Sequence, residues 1–542
     1  MLRILQRNLL KICLPFLNLK HYDELIRGGH KLICESGDLE MIRNVRDAIC
    51  KFENERLSAL KTSSFNKFAT VPEVASRFTQ RRVNLLLTRI EFVKCLSFAR
   101  ATNSKCWYPL PNAWIKIANQ NGLQVNCVMS KIMYQFLNCI LMIKKCWEIG
   151  HSIINESAFL QSEFFQNDEW FFKGAVVVGI APEIIGARNN LSQQEFFGDW
   201  LRGSSDRQQI LGFTDSEKLA ISESMFPQSS SMNYGFFSRL HVAVMAIKFF
   251  YFRRSTYSFK VFKFLNFSEL LLFIRIFRSG SNLSTRMLFF NNSQSLSKPL
   301  WTSLFENLGS RICLVFYSSE EEPNYLSGTR PKNELWQLSR WKECWVIDEV
   351  QKSELVRINY LPSTRFIVIG MPWWTDSDVT IPIIEGKSIA LFDLEPHLGH
   401  FGLTTYNSYG SQDPIQASTL LKQVVDVCLE FGLTVLHKPK RNIGLKRYDV
   451  YKDNLEVLKN IYPNNYRLID PSVAPSRLIR STDATVCVPF TSPAIIAMEM
   501  GHPATYFTCN PKTPLFNSRY HELECINSKE KLKEWLIGVL AL

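Results

Sequence analysis

Two adjacent hydroxyl residues, Thr491 and Ser492, stand where an apolar run meets a helical stretch. The run ATVCV (484–488) is rich in β-branched residues, Pro489 ends it, and Pro493 opens the next stretch. Hydroxyl groups and the free N–H groups at the start of a helix both donate hydrogen bonds, which suits a phosphate group. A Ser or Thr that only caps a helix gives the same local pattern. The pair therefore indicates either a phosphate site or an ordinary helix cap.

A second group suited to phosphate follows the apolar run LTVLHK (433–438). His437, Lys438, Lys440 and Arg441 crowd the end of this run. Negative charge builds on a phosphate leaving group as the bond to it breaks, and fixed cations stabilise that charge. A solvated basic turn is the alternative explanation for such a charge run. The basic group gains significance if both runs end at the same edge of one sheet.

The residues from 388 onward alternate short β runs with helical runs. Strands separated by helices form parallel βαβ units, and ligands bind outside the carboxyl ends of the strands. We therefore expect a Rossmann-like sheet whose carboxyl edge carries the hydroxyl pair and the basic group. The predicted strands are SIALFDL (388–394), LTVLHK (433–438), YRLID (466–470), ATVCV (484–488) and ATYF (504–507), and KEKLKEWLIGVLAL is the closing helix.

Upstream residues divide into two further regions. Residues 1–165 have apolar residues at three and four spacing, which predicts a mostly helical N-terminal region. Residues 166–380 alternate again, which predicts a first Rossmann-like domain, and residues 381–542 form the second. The β runs of the first domain are GAVVVGIA (174–181), RMLFF (286–290), RICLVFY (311–317), CWVID (344–348) and RFIVIG (365–370).

An insertion at residues 246–279 interleaves aromatic and aliphatic residues with seven basic residues and a single acid, Glu269. Such a pattern suits a helix in the interface of an anionic membrane. Core packing with basic edges is the alternative, and the sequence favours neither.

Composition narrows the class of protein. Lys and Arg number 63 against 50 Asp and Glu, a net charge of +13, which predicts attraction to anions. Fourteen scattered cysteines without a CxxC pair indicate reduced thiols in a cytoplasm. The basic N-terminus lacks the features of a secretory signal, and no window reaches the roughly 18 uncharged apolar residues of a spanning helix. We expect a soluble or peripheral cytoplasmic protein.

The stretch VPFTSPAIIAMEMGHPATYF resembles the signature of bacterial polysaccharide-biosynthesis proteins named for their PFTS motif. The resemblance extends to FFNNSQSLSKPLWTSLFENLGSRICLVFYSS (289–319), IVIGMPWW (367–374) and IALFDLEP (389–396). It implies a GT-B-like glycosyltransferase of surface-polysaccharide assembly, with two Rossmann-like domains facing a cleft. It also implies a reaction without a metal ion or other cofactor. The predicted helical region, residues 1–165, is an N-terminal extension that carries none of this resemblance.

The arrangement is similar to that of bacterial sialyltransferases and Kdo transferases. Those enzymes hold the phosphate and cytidine of a CMP-sugar with a His-Pro motif and a Ser-Ser/Thr motif. Thr491 and Ser492 match the second motif, whereas Lys438 separates His437 from Pro439 and breaks the first.

These resemblances assign roles to particular residues. An inverting transfer needs a base that takes the acceptor proton, usually from the first domain. The residues predicted to bind the nucleotide lie in the second domain, and His397, in the loop DLEPHLGHF, is placed under the nucleotide rather than in a zinc site. The catalytic candidates are Glu320, Glu321, Glu322 and His437; the nucleotide-binding candidates are Lys438, Lys440, Arg441, Pro489, Phe490, Thr491, Ser492, Glu499 and His397.

The leading hypothesis is transfer of a sugar from a nucleotide donor, such as a CMP-linked sialic acid-like sugar or Kdo, to a growing surface polysaccharide or glycolipid. The expected partners are that donor, a glycan or lipid-linked acceptor, and the inner face of the cytoplasmic membrane. A nucleotide-sugar epimerase would need a second acid/base group, and the sequence offers no convincing one. A single-stranded nucleic-acid binder would explain the basic and aromatic residues but not the hydroxyl pair.

Overall fold

The computed structural model separates the chain into two compact units. The described residues up to Ile369 form the first unit, and those from Gly370 onward form the second. The residues described are 38–59, 71–87, 90–154, 236–237, 239–241, 243–244, 287–291, 298, 302–307, 309–316, 336–357, 361, 363–370, 380–394, 414–440, 449–489, 491–509, 519–520 and 523–541.

Helices form the early part of the first unit, as the three and four spacing of apolar residues predicts. Ile42, Val45 and Ile49 show the pattern in the first described helix, because all three are fully buried along one face. The helices are α1 (Asp38–Ser58), α2 (Val71–Leu87), α3 (Ile90–Ala101), α4 (Asn112–Gln120) and α5 (Cys127–Ile154).

A buried ion pair links three of these helices. The Glu53 carboxylate of α1 accepts hydrogen bonds from the Arg82 guanidinium of α2 and from Trp114 Nε1 of α4, the latter at 2.8 Å. The Arg82 guanidinium also lies over the Trp114 ring, 4.6 Å from its centroid. Because each buried charge has a partner, the cluster fixes how the helices pack without leaving an uncompensated charge.

A parallel sheet follows in the same unit, with its strands in the order β1-β2-β3-β4. Gln80 of α2 and Asn54 of α1 join the helices to the segment that precedes β3, through the Leu338 carbonyl and the Arg340 guanidinium. The elements are β1 (Met287–Asn291), α6 (Thr302–Asn307), β2 (Arg311–Val315), a short 3₁₀ helix (Trp336–Leu338), β3 (Glu343–Val346), α7 (Glu349–Arg357) and β4 (Arg365–Val368).

The second unit is built on a seven-stranded sheet of order β10-β11-β9-β8-β5-β6-β7, parallel throughout except for β10. The α/β class is therefore confirmed. Its elements are β5 (Ser388–Phe392), α8 (Pro414–Glu430), β6 (Thr434–Lys438), α9 (Asp449–Ile461), β7 (Tyr466–Leu468), α10 (Pro475–Arg480), β8 (Ala484–Cys487), α11 (Ser492–Glu499), β9 (Ala504–Phe507), β10 (Arg519–Tyr520), β11 (Leu523–Ile526) and α12 (Lys529–Leu540).

The chain reverses its direction across this sheet at β5. From β5 it moves outward to β6 and β7, then returns to β8 on the other side of β5 and continues to β9 and β11. The resulting order β7-β6-β5-β8-β9-β11 is that of doubly wound nucleotide-binding sheets. In such sheets the crevice for a ligand opens where the direction reverses, outside the carboxyl ends of β5 and β8.

Both faces of the sheet are covered, which explains the unbroken apolar runs of its strands. Leu391, Val435 and Val486 belong to one core with the apolar residues of α8, α9 and α12. By alternation along the strands, Phe392 and Cys487 point to the opposite face, which α10 and α11 cover.

The sequence analysis missed two strands, since its series of β runs ended with ATYF. β11 pairs in parallel with β9, and β10 pairs antiparallel with β11. Exposed Glu524 interrupts the apolar residues of β11, and the strand is only four residues long. A four-residue strand that contains an exposed charged residue has a polar and apolar pattern like that of a loop.

Candidate functional site

The carboxyl ends of three neighbouring strands are level at the reversal point. Phe392, the last residue of β5, pairs with Lys438 at the end of β6 on one side and with Cys487 at the end of β8 on the other. Two strand spacings separate Lys438 from Cys487, roughly 10 Å between their Cα atoms. The structure thus brings the basic group and the PFTS turn to one edge of one sheet.

Lys438 is a buried cation at this edge. Its side chain is 7% exposed, and no hydrogen bond or ion pair reaches its Nζ atom within the described part of the chain. Burial lowers the pKa of its ammonium group to about 8, although the carboxylates of Asp393 and Asp470 act in the opposite direction. A lysine is rarely buried without a partner. The carboxylates of Asp393 and Asp470 act on this charge without a direct contact, and an anion bound at this edge would supply one.

Asp393, the residue directly after β5, is the centre of a hydrogen-bond network. Its Oδ2 atom lies 3.1 Å from His437 Nε2 and accepts a hydrogen bond of 2.5 Å from the Tyr451 hydroxyl. Its Oδ1 atom accepts the backbone N–H of Lys440 at 2.9 Å. These bonds attach the loop after β6 to the end of β5 and so fix the backbone on which Lys438 and Lys440 lie.

His437 is fully buried under this edge, and both of its ring nitrogens are engaged. Nδ1 lies 2.7 Å from the Tyr466 hydroxyl, while Nε2 faces Asp393. Burial raises the pKa of the Tyr466 phenol, which therefore keeps its proton. These contacts favour a positioning role over the catalytic role predicted for His437 from the sequence.

The PFTS turn does not form an ordinary helix cap. Thr491 occupies the N-cap position of α11 with extended backbone angles, but its side chain makes no capping hydrogen bond. Its hydroxyl instead donates to the Val488 carbonyl at 2.8 Å, which closes the turn after β8. Pro493 has no N–H and the Ala494 N–H donates to the Thr491 carbonyl at 3.2 Å, so an anion at the start of α11 would meet the N–H of Ser492.

Pro489 lies inside this turn, between Val488 and Thr491, and Ser492 directly follows the turn. Ser492 is half-buried as the first residue of α11, and Pro489 is buried at the end of β8. The fully buried Tyr506 side chain of β9 supports the turn from the neighbouring strand, with its hydroxyl 3.5 Å from the Thr491 carbonyl. Ser492 is thus the hydroxyl residue of the pair that a ligand at the helix start would meet.

Glu499 lies away from this turn. It is exposed in the last turn of α11, seven residues after Ser492, so the helix separates the two by roughly 10 Å. The structure therefore places Glu499, a predicted nucleotide-binding residue, at the end of α11 away from the carboxyl edge.

Several predicted residues lie outside the described residues. They are Glu320, Glu321, Glu322, His397, Arg441, Phe490 and the insertion 246–279. Lys440 is described and exposed, with its backbone held by Asp393. Among the described residues, no group of three His, Cys, Asp or Glu side chains is arranged to hold a metal ion.

The sequence analysis missed the network around Asp393. Asp393 stood in the run IALFDLEP, directly after a predicted strand, and an acid in that position at the centre of a doubly wound sheet was a usable signal. Tyr451 and Tyr466 gave no such signal, because their hydroxyls reach Asp393 and His437 only through the packing of α9 and the pairing of β7 with β6.

Comparison with known proteins agrees with the motif. No curated protein matches the chain. Residues 255–536, more than half of the chain, match the family described as polysaccharide biosynthesis PFTS motif protein. The matched segment includes the sheet of the second unit, Asp393, Lys438 and the PFTS turn. The chain therefore belongs to the family of polysaccharide biosynthesis PFTS motif proteins.

Proposed function

We propose that this protein is a glycosyltransferase that takes a sugar from a nucleotide-activated donor and adds it to a growing surface polysaccharide or glycolipid. One observation carries the proposal. A buried lysine whose ammonium group has no direct hydrogen bond or ion pair in the described part of the chain lies at the reversal point of a doubly wound sheet, and the start of α11 lies two strands away. Membership of a polysaccharide-biosynthesis family supports this class of reaction.

The phosphate of the donor fits the space outside the end of β5. On one side it would meet the ammonium group of Lys438, and on the other the N–H and the hydroxyl of Ser492 at the start of α11. A buried charge is costly unless it is paired, so the phosphate would bind strongly to Lys438. The helix start adds the favourable interaction of an anion with the positive end of the helix dipole.

The same groups would assist the chemical step. When the bond between the anomeric carbon and the phosphate oxygen breaks, its electron pair stays on the oxygen and negative charge builds on the phosphate. Lys438 and Lys440 would stabilise that charge without a metal ion, provided that they are held in place beforehand. Asp393 serves this purpose, since it anchors the backbone of Lys440 and, through His437, the end of β6.

The acceptor hydroxyl must lose a proton in the same transfer. Glu320, Glu321 and Glu322 remain our candidates for the base, as predicted from the sequence. A CMP-linked ulosonate is the donor that we propose, on the match of Thr491 and Ser492 to the Ser-Ser/Thr motif. We place the reaction at the cytoplasmic side of the membrane, where a lipid-linked acceptor would be available.

A panel of ligands tests this function. A nucleotide that binds the native state raises the melting temperature, and the increase grows with ligand concentration above the dissociation constant. We expect CMP to raise the melting temperature, UDP and GDP to have smaller effects, and an oligonucleotide to have none. Stabilisation by the oligonucleotide that disappears steeply with added salt would instead indicate nucleic-acid binding.

A matched pair of variants assigns the effect to the site. Lys438→Met removes the buried cation, whereas Lys459→Met removes an exposed lysine from the last turn of α9. The stabilisation by CMP should disappear in Lys438→Met and persist in Lys459→Met. Equal stabilisation of both variants would place the nucleotide elsewhere.

A further inference from the structure

Helix α5 of the first unit presents an apolar stripe to solvent. Large apolar side chains recur along it at spacings of three, four and seven residues, together with the exposed Cys139 and Cys146. At about 100° per residue, all of these positions fall within an arc about 100° wide. The exposed apolar residues are Val128 (66%), Ile132 (54%), Phe136 (49%), Ile143 (69%), Trp147 (64%) and Ile154 (77%).

The opposite side of α5 packs inside the first unit. Ser130, Met133, Leu137 and Leu141 are buried and lie on the far side of the helix from the stripe. The helix is therefore apolar on two sides, although only one of these sides packs against the core of the first unit. An exposed apolar surface that runs the length of a helix of this size, roughly 40 Å, marks an interaction site.

The composition of α5 points to a membrane as the partner. Its segment Cys127–His151 is long and apolar enough to cross a bilayer by length and composition alone, and only 22% of its most apolar window is buried. No such segment was expected from the sequence because an uncharged window was required, and Cys127–His151 contains Lys131, Lys144, Lys145 and Glu148. The buried side of α5 shows that it lies along the first unit, which suits a helix in the plane of the membrane surface rather than a lone spanning helix.

The charges beside the stripe fit an anionic surface. Exposed Lys131 lies beyond one edge of the stripe, and exposed Lys144 and His151 lie beyond the other. The acid of this helix, Glu148, is engaged by Lys144 at 3.3 Å and Lys145 at 2.8 Å. A second copy packed on the stripe would bring lysines towards lysines, whereas anionic headgroups would attract the lysines on both edges.

We propose that the α5 stripe binds the interfacial region of an anionic membrane, with the apolar side chains in the acyl boundary and Lys131 and Lys144 at the headgroups. The proposal is independent of the sugar-transfer site, because it rests on the first unit alone. It would hold the protein where a lipid-linked acceptor is available.

Sedimentation of the full chain with vesicles tests the proposal. We expect binding to phosphatidylcholine vesicles that contain about one third phosphatidylglycerol, and at least about tenfold weaker binding to pure phosphatidylcholine. The double variant Ile132→Asp with Ile143→Asp should lose binding. Both side chains are more than half exposed, so the fold should persist, which circular dichroism checks. The control Val457→Asp with Ile461→Asp changes exposed apolar residues of α9 and should bind as the wild type does.

A second double variant separates the apolar contribution to vesicle binding from the electrostatic one. Lys131→Glu with Lys144→Glu keeps the apolar stripe but reverses the sign of the charge at these two positions on its edges. The preference for the anionic vesicles should therefore disappear. Retained binding by the Ile132 and Ile143 double variant would overturn the proposal. So would self-association of the wild type that this variant abolishes in analytical ultracentrifugation, because the stripe would then join two copies. Absence of both vesicle binding and self-association would overturn it as well.

Discussion

The Nε2 atom of His437 lies 3.1 Å from Oδ2 of Asp393, which joins the end of β6 to the residue after β5. Because Phe392 also pairs with Lys438, this contact lies directly beside the buried cation. The site is therefore held by hydrogen bonds around the Asp393 carboxylate, which also acts on the charge of Lys438 without a direct contact.

Replacement of Asp393 by Asn should weaken nucleotide binding and change its dependence on pH. The carboxylate of Asp393 raises the pKa of Lys438 against the effect of burial, so its removal should lower that pKa further below about 8. The pH at which half of the affinity is lost should then decrease. Calorimetric titration with CMP across a pH series measures this midpoint, and a purely structural role of Asp393 would leave it unchanged.

The control for this variant is Asp426→Asn. Asp426 forms a partly exposed ion pair with Lys529 at 3.0 Å. Its removal should cost at most about 1 kcal/mol of stability and leave the pH midpoint of binding unchanged. A shift of the midpoint in both variants would mean that Asp393 has no special influence on Lys438.

The wild-type protein should bind phosphate groups more tightly below about pH 8 than above it. Lys438 is charged below its pKa and loses its proton as the pH rises through about 8. Since a bound phosphate favours the charged ammonium, affinity should decrease over that interval, and titrations at pH 7 and pH 9 measure the difference. In Lys438→Met this part of the pH dependence should vanish, and its persistence would contradict the assignment.

The stability of the ligand-free protein should show the opposite trend. The pKa of Lys438 is about 8 in the folded state and 10.5 in the unfolded chain, so between these values the unfolded state binds more protons. The free energy of unfolding should therefore rise with pH in that interval from this group. Comparison of urea unfolding of the wild type and Lys438→Met at pH 7.5 and pH 9.5 isolates the contribution.

Thr491 and Ser492 should respond differently to loss of their hydroxyls. The Thr491 hydroxyl donates to the Val488 carbonyl, so Thr491→Val should destabilise the turn by about 1 kcal/mol and Thr491→Ser should restore it. Ser492→Ala should leave the melting temperature unchanged but weaken CMP binding. Thermal unfolding with and without CMP measures both effects, and equal behaviour of Thr491→Val and Ser492→Ala would contradict these separate roles.

Tyr451→Phe should destabilise the second unit without changing its surface. The Tyr451 hydroxyl donates to the Asp393 carboxylate at 2.5 Å in a buried position, and a hydrogen bond to a charged group contributes about 2 kcal/mol. Urea unfolding measures the loss. Tyr462→Phe, at a half-buried position beside the same core, is the control. A Tyr451→Phe protein as stable as the control would show that Asp393 does not depend on this donor.

Much of the second unit could be predicted from the sequence, because parallel strands covered on both faces are apolar throughout. ATYF was predicted at 504–507 and is β9, while most other strands end one or two residues earlier than predicted. β10 and β11 were missed, since short strands with an exposed charge give a weak pattern. Strand order depends on pairing between distant segments, which apolar patterns do not specify.

The site could be predicted only where residue type alone reveals it. Lys438, Thr491 and Ser492 stand beside predicted strand ends and carry groups that bind phosphate. The Asp393 network depends on contacts between residues 44 and 58 positions apart in the chain, and these exist only once β5, β6 and α9 have packed. The sequence also could not show that the Thr491 hydroxyl turns back to Val488, because the same residue is a good helix cap.

The location of the nucleotide phosphate in a crystal structure with CMP tests the central claim most directly. We predict that phosphate oxygens lie within hydrogen-bond distance, about 3 Å, of both Lys438 Nζ and the N–H or hydroxyl of Ser492 at the start of α11. A nucleotide bound at another place, with Lys438 Nζ still lacking an anionic partner, would contradict the account.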